Sequence, residues 1–326
     1  MKRREFIRLL GGAASAWPLA ARAQSQAMPT IGFLNGATAE GYAPYLKAFL
    51  EGLKQLGFVD GRTVRIEYRW AGGRYERLPE LAAELVQRGV AVISATSTPA
   101  AVAAKAATST VPVVFTTSGD PVTLGLVTNL RRPDGNVTGV TQLNVEVAPK
   151  RLELMHELLP KASAFALLVN PAGPNSAPVA KGMRSAAGSL GLHLHVLEAK
   201  TEAEIEASFA KLHDLQAGGV VIGTDPYFNT RSQQLAGLAL RHRMPAIYQY
   251  EEFTAAGGLM SYGGSITDSY RGAGIYTARI LKGDKVSDLP VQQSTRVELI
   301  INLKTARALG VEFPSSLLDR ADVVLD

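Results

Sequence analysis

Residues 90–121 read VAVISATSTPAAVAAKAATSTVPVVFTTSGDP, and this stretch decides the fold. Val90–Ala95 is a short β-rich apolar run that stops at three consecutive hydroxyl residues, Thr96, Ser97 and Thr98. Pro99 and the helical segment AAVAAKAA follow at once, and a second apolar run, VPVVFTT (111–117), comes after it. Strand, helix and strand in this order form the unit of a parallel sheet. Ligands in such sheets sit beyond the carboxyl ends of the strands. The polar clusters that close the two runs are therefore the first candidates for a site. Thr98 suits an N-cap with Pro99 at N1, where a missing N–H costs nothing. The same helix start offers free N–H groups and a partial positive charge that suit a carboxylate. Capping alone and ligand contact by Thr96, Ser97 or Thr98 are the two readings of the cluster.

The alternation extends both ways. TIGFLN (30–35) and TVRIEYRW (63–70) read as strands, and helices are expected over about 43–56 and 75–88. RRPDGNVTGV (131–140) reads as a turn-rich interruption. A second series then runs through AFALLVN (164–170), LHLHVLE (192–198), GGVVIGT (218–224) and PAIYQY (245–250), with helices over about 146–159, 175–190, 202–213 and 227–242. Two similar α/β halves with parallel sheets follow. GGLMSYG (257–263), a helix near 267–282 and 294–310 complete both sheets and make the lobes discontinuous in sequence.

The 326 residues suffice for two domains, and 46% apolar content supports a sizeable core. After the N-terminus no stretch of ~18 apolar residues appears. The N-terminus, MKRREFIRLLGGAASAWPLAARAQ, has a basic start, an apolar middle and the cleavage pattern Ala21-Arg22-Ala23. Residues 1–23 are expected to be an export signal, by the twin-arginine route that Arg3-Arg4-Glu5-Phe6 suggests or by the general one. They hold Lys2, Arg3, Arg4, Arg8 and Arg22 against Glu5, a net +4 that leaves the remainder near +1 of the whole chain's +5. The basic balance thus carries no argument for nucleic acid or membrane partners. With no cysteine, disulfides, thiol chemistry and a lipid-anchored cleavage site are excluded, and the expected place is the periplasm.

The remaining strand ends supply Asn35-Gly36, Thr117-Ser118, Asn170-Pro171, Thr224-Asp225-Pro226 and Tyr248-Gln249-Tyr250. Asp225 is either the acceptor for a ligand ammonium or a turn aspartate. Asp120 reads as a cap. Asn35 bonds either a ligand or its own turn. Tyr227, Phe228, Tyr248, Tyr250 and Tyr262 are the aromatic candidates; two are expected to touch ligand, Tyr248 and Phe228 first.

His193 and His195 share a strand face without an evident third metal ligand. No metal or cofactor is expected. No G-x-S-x-G, dinucleotide or P-loop pattern appears, and Ser97 and Ser118 have no evident His partner, so the chain reads as a non-enzyme. Asn136-Val137-Thr138 is discounted as a glycosylation site because the leader looks bacterial. A DNA-binding repressor is excluded by the leader and by the lack of a helix-turn-helix before Thr30.

The segments GLKQLGFVDGRTVRIEYRWAGGRYERLPELAAELV, ATSTPAAVAAKAAT, VPVVFTTSGDPVTLGLV, RPDGNVTGV, LVNPAGPN, GTDPYF, PAIYQYEEFTAAGGLMSYG and INLKTARALG resemble, in order and spacing, the ABC-transporter substrate-binding proteins of the tryptophan/tyrosine type, relatives of the type I periplasmic binding proteins. The likeness covers about 31–324. It implies two Rossmann-like lobes joined by a three-crossover hinge, closing over a ligand and docking on a permease driven by an ATPase. It gives the lobes as 29–142 plus about 255–287, and 143–254 plus about 288–326. The expected function is delivery, by a periplasmic monomer, of a small carboxylated ligand, an aromatic or branched apolar amino acid first. The alternative is a ligand-sensing subunit for a membrane receptor. The candidate ligand residues are Asn35, Gly36, Thr96, Ser97, Thr98, Thr117, Ser118, Asn170, Asp225, Phe228, Tyr248, Tyr250 and Tyr262.

Overall fold

The computed structural model describes residues 28–294 and 296–326, so the expected export signal lies outside the described residues. Five strands follow the first series: β1 (Thr30–Asn35), β2 (Arg65–Trp70), β3 (Val92–Ala95), β4 (Val113–Thr117) and β5 (Val137–Thr141). They form one parallel sheet in the order β5-β4-β3-β1-β2. Helices α1 (Ala43–Gln55), α2 (Leu78–Gln87) and α3 (Thr98–Ala107) connect them. β5 falls inside the stretch read as a turn-rich interruption. Gly135 and Asn136 do form a turn, but Val137–Thr141 is fully buried and pairs along all of β4. The turn chemistry hid the strand that follows it.

The second sheet contains β6 (Ala164–Val169), β7 (His193–Glu198), β8 (Val220–Ile222), β9 (Ala246–Tyr248) and β10 (Met260–Gly264), parallel in the order β7-β6-β8-β9-β10. Its helices are α4 (Ala148–Leu158), α5 (Ser176–Leu190), α6 (Glu202–Lys211), α7 (Pro226–Asn229), α8 (Ser232–Arg241) and α9 (Glu251–Ala255). The single helix expected over 227–242 is thus two pieces. The chain returns to the first lobe through α10 (Ile266–Leu281) and β11 (Gln292–Gln293), which pairs with β5. It ends in the second lobe with β12 (Val297–Asn302), α11 (Leu303–Leu309), α12 (Ser315–Leu318) and β13 (Val323–Leu325), β12 being antiparallel to β10.

The backbone therefore passes between two α/β lobes three times: after β5, after β10 and after β11. Strand membership moves two boundaries from the sequence reading. The segment from about 255 to 264 belongs with the second lobe, because β10 pairs with β9 and β12. The segment from about 288 to 293 belongs with the first, held by β11. A two-residue polar strand has no periodicity to betray it. The first crossing opens with Leu143 in the left-handed region (φ 55°), and its N–H is held by the Thr141 hydroxyl at 3.2 Å.

α10 places two site residues through an unusually close helix contact. A Cβ on Gly52 would collide with the Arg271 carbonyl, and one on Gly274 with the Phe49 carbonyl. Each glycine thus lets the other helix's backbone come near. Gly274→Ala is expected to cost about 1–3 kcal/mol by overpacking, more than the up to ~1 kcal/mol gained in helix propensity. A urea unfolding curve with a lowered midpoint and unchanged slope is the expected result.

Candidate ligand-binding site

The carboxyl ends of both sheets face a small cavity between the lobes. The first lobe contributes Thr96, Ser97, Thr98, Ser118, Tyr42 and Tyr270 to its walls; the second contributes Pro226, Asn229 and Tyr250. Thr116, Gln142 and Ile266 complete the lining, which holds no charged side chain. The cavity measures ≈ 20 Å³, room for about one water. A ligand of amino-acid size therefore enters only when the lobes part.

On the first-lobe side, the turns after β1 and β3 lock together. The Asn35 amide donates to the Thr96 carbonyl (2.8 Å), the Thr96 hydroxyl (3.0 Å) and the Tyr270 hydroxyl (2.9 Å). Tyr270 in turn donates to the Thr96 carbonyl. The Gly36 N–H donates to Ser97 Oγ at 3.1 Å. The N-cap of α3 is Ser97, one residue earlier than expected, with Thr98 and Pro99 in the first turn. Ser97 makes no side-chain cap, since its oxygen faces Gly36 instead. Thr98 does different work: its hydroxyl accepts the Ser118 N–H and the Asn175 amide, each at 3.2 Å, joining α3, β4 and the second lobe.

On the second-lobe side, Asp225 caps α7 by accepting the Tyr227 N–H at 2.9 Å. The same Oδ1 accepts the Asn170 amide at 2.9 Å and, across the lobes, the Tyr75 hydroxyl at 2.7 Å. Burial pushes the Asp225 carboxyl up to about 6, although these three donors pull the other way. Among the described residues no cation pairs with it. Further bonds between the lobes run from the Asn229 amide to the Tyr42 hydroxyl (2.9 Å) and between Ser118 Oγ and the Tyr250 hydroxyl (3.1 Å).

Of the residues singled out by sequence, Thr96, Ser97, Thr98, Ser118 and Tyr250 border the cavity. Asn35 and Gly36 stand one layer behind, holding the Thr96–Ser97 turn. Asn170 and Asp225 form the adjoining node with Tyr75. The Thr117 hydroxyl is spent on the Gly119 carbonyl at 2.8 Å. No helix follows Asp120; its carboxylate closes a turn instead, accepting the N–H groups of Val122 (3.0 Å) and Thr123 (3.2 Å).

Three aromatic expectations need correction. Phe228 is 0% exposed and belongs to the apolar core. Tyr248 stacks on Phe253 with ring centroids 4.7 Å apart. Tyr262 borders a separate surface depression with Lys150 and Arg320. Tyr248 and Tyr262 lie within strands, whose side chains stand perpendicular to the sheet. Tyr250, two residues past the end of β9, is free to turn toward the cleft. Sequence reasoning missed Tyr42, Tyr75, Tyr270, Gln142 and Asn229. The tyrosines sit at or on helices, where no strand end marks them. The available signal was that buried tyrosine hydroxyls need partners.

The family model described as "ABC transporter substrate binding protein" matches residues 39–325. A curated relative, the tyrosine-binding protein of Clostridioides difficile (strain R20291), is 28% identical over 267 residues, covering 82% of this chain and 76% of that protein. Among solved structures, an ABC domain in complex with L-Trp from Streptococcus pneumonia has a TM-score of 0.81 at 25% identity, covering 91% of this chain and 99% of that one. The ligand-free, open structure of a substrate binding protein with adhesive properties from Clostridium difficile has the same coverage, 91% and 99%, at 26% identity, with a TM-score of 0.63. The greater likeness to the tryptophan complex than to the open form, at equal coverage, agrees with the hydrogen bonds that join the lobes here. This chain belongs to the ABC transporter substrate binding protein family.

Proposed function

We propose that this protein is a periplasmic solute-binding protein, exported by a twin-arginine-type leader, that carries a small carboxylated ligand to an ABC permease and its ATPase. An aromatic amino acid is the first candidate, with branched apolar amino acids next. The observation that carries the reading is the cavity between the carboxyl ends of both sheets, walled by hydroxyls and three tyrosines and closed by hydrogen bonds from lobe to lobe. The uncapped start of α3 and the hydroxyls of Thr96–Thr98 and Ser118 receive the carboxylate. Asp225, buried without a cation, receives the ammonium, and Tyr42, Tyr250 and Tyr270 cover the side chain. The tyrosine and tryptophan named for the two relatives support this ligand class. The protein works as a monomer, performs no catalysis, and needs no metal or nucleic acid.

The test is a thermal-shift panel on mature protein, unfolded and refolded to strip carried-over ligand. Binding to the folded state alone stabilises it by roughly 2.7 kcal/mol at a hundredfold excess over the dissociation constant. Tyrosine, tryptophan or phenylalanine should raise the melting temperature, and sugars and nucleosides should not. A shift with sugars alone would overturn the ligand class. Uptake of the bound ligand by cells, lost when the permease gene is deleted, separates transport from a purely sensory role.

A further inference from the structure

Much of the contact between the lobes runs through one short segment of the second, Asp225–Thr230, which contains α7. Asp225 accepts the Tyr75 hydroxyl at 2.7 Å, and the Tyr227 N–H reaches the same hydroxyl at 3.2 Å. The Asn229 amide donates to the Tyr42 hydroxyl at 2.9 Å. Two glycines complete the fit. Gly73, in the left-handed region (φ 82°), faces the Tyr227 ring, and a Cβ there would stand 3.1 Å from Cδ2. A Cβ on Gly41 would stand 2.5 Å from Thr230 Cγ2 and 2.9 Å from Thr230 Cβ. Carbons out of bonding contact prefer about 3.5–4.0 Å. Gly41 does not have a positive φ, so its own backbone makes no demand for glycine. The demand comes from the other lobe.

Both surfaces are braced. In the first lobe the loops after β1 and β2 are tied to each other, Gly72 N–H to the Ala37 carbonyl at 3.0 Å and Gly73 N–H to the Gly36 carbonyl at 2.8 Å. The Gly41 N–H donates to Thr38 Oγ1 at 3.2 Å. In the second lobe the Thr230 hydroxyl donates to the Tyr227 carbonyl at 2.9 Å. Arg231 donates to that carbonyl at 3.1 Å and to Thr230 Oγ1 at 2.9 Å, and its guanidinium lies 3.6 Å from the Tyr227 ring centroid. Surfaces held in this way do not absorb an extra atom; they move apart.

We infer that Gly41 is a positioning residue for closure. Its missing side chain lets Asp225–Thr230 seat on the two first-lobe loops, and so sets how far the cleft shuts. Gly41 does not line the cavity at the strand ends. It acts on affinity through the population of the closed form, and therefore on all ligands alike. The inference goes beyond the proposed function because it needs no particular ligand; only its affinity measurement rests on that reading.

The first measurement uses no ligand. The chain has no cysteine, so Gly41→Cys with Thr230→Cys supplies a single pair, on partly exposed residues. A shift of about 1 Å brings their Cβ atoms to the separation of a disulfide. Mild oxidation should convert most of the protein to an intramolecular disulfide, read as a faster band on a non-reducing gel, and Thr230→Cys alone should give none. A pair that does not cross-link overturns the inference. The second measurement is titration calorimetry. Gly41→Ala should weaken L-tyrosine and L-phenylalanine by the same factor, about 10-fold. Adding Thr230→Gly, which removes the colliding atoms from the other lobe, should restore both to within about threefold of wild type. Wild-type affinity in Gly41→Ala, or a loss that Thr230→Gly does not restore, places the role of Gly41 in its own loop and overturns the inference. Should Gly41→Ala not fold, Thr230→Leu crowds the same contact from the second lobe, and an unchanged affinity there overturns it equally. If the wild-type protein binds neither amino acid, the proposed ligand class fails, while the disulfide still decides the role of Gly41.

Discussion

Asp225→Asn is expected to weaken the binding of an aromatic amino acid by about 30-fold, roughly 2 kcal/mol, while leaving the analogue without the amino group within about threefold of wild type. The substitution keeps the shape of the side chain and an oxygen for the Tyr75 hydroxyl and the Tyr227 N–H. It removes the charge that an ammonium requires. Isothermal titration of the matched pair, amino acid and desamino analogue, measures the effect. Equal losses for both would reduce Asp225 to a capping and clasping residue.

The same carboxyl gives a pH dependence of known sign. Burial raises it from an ordinary 3.8 to about 6. A raised carboxyl means that folding takes up a proton. Its contribution to stability is fully present below the ordinary value and is lost as pH rises through about 6. An ammonium needs the ionised carboxylate, so affinity for the amino acid should decline as pH falls below about 6, by up to about tenfold per unit. Asp225→Asn should flatten that profile.

Tyr248→Ala is expected to destabilise the protein by about 3 kcal/mol or more, in the range of other large aromatic truncations in cores, with ligand selectivity unchanged. The ring is 0% exposed, stacks on Phe253 at 4.7 Å, and sits between the sheet and the helices of the second lobe. Its removal leaves a cavity that close-packed neighbours fill only in part. Chemical unfolding should show the loss in the midpoint. Calorimetry on the folded variant should return the wild-type order of preference among tyrosine, tryptophan and phenylalanine. A changed order at unchanged stability would return Tyr248 to the ligand.

The sequence by itself determined most of the elements and their class. β-rich runs ending in small polar residues, each followed by a helical segment, admit little besides parallel sheets with a site at the strand ends. That reasoning singled out Thr96–Thr98, Ser118 and Tyr250, which border the cavity, because a strand end is a local feature written in consecutive residues. The tertiary structure decided what is non-local. Whether a tyrosine reaches the cleft depends on which way its strand or helix is turned, so Tyr250, Tyr42 and Tyr270 enter the wall and Tyr248, Phe228 and Tyr262 do not. The two-residue strand Gln292–Gln293 and the lobe boundaries depend on pairing partners far away in the chain. The sequence leaves Asp225 either a ligand acceptor or a turn aspartate. Only the packed lobes show that it is buried with no cation among the described residues to pair with it, since desolvation is a property of what surrounds a residue and not of the residue itself.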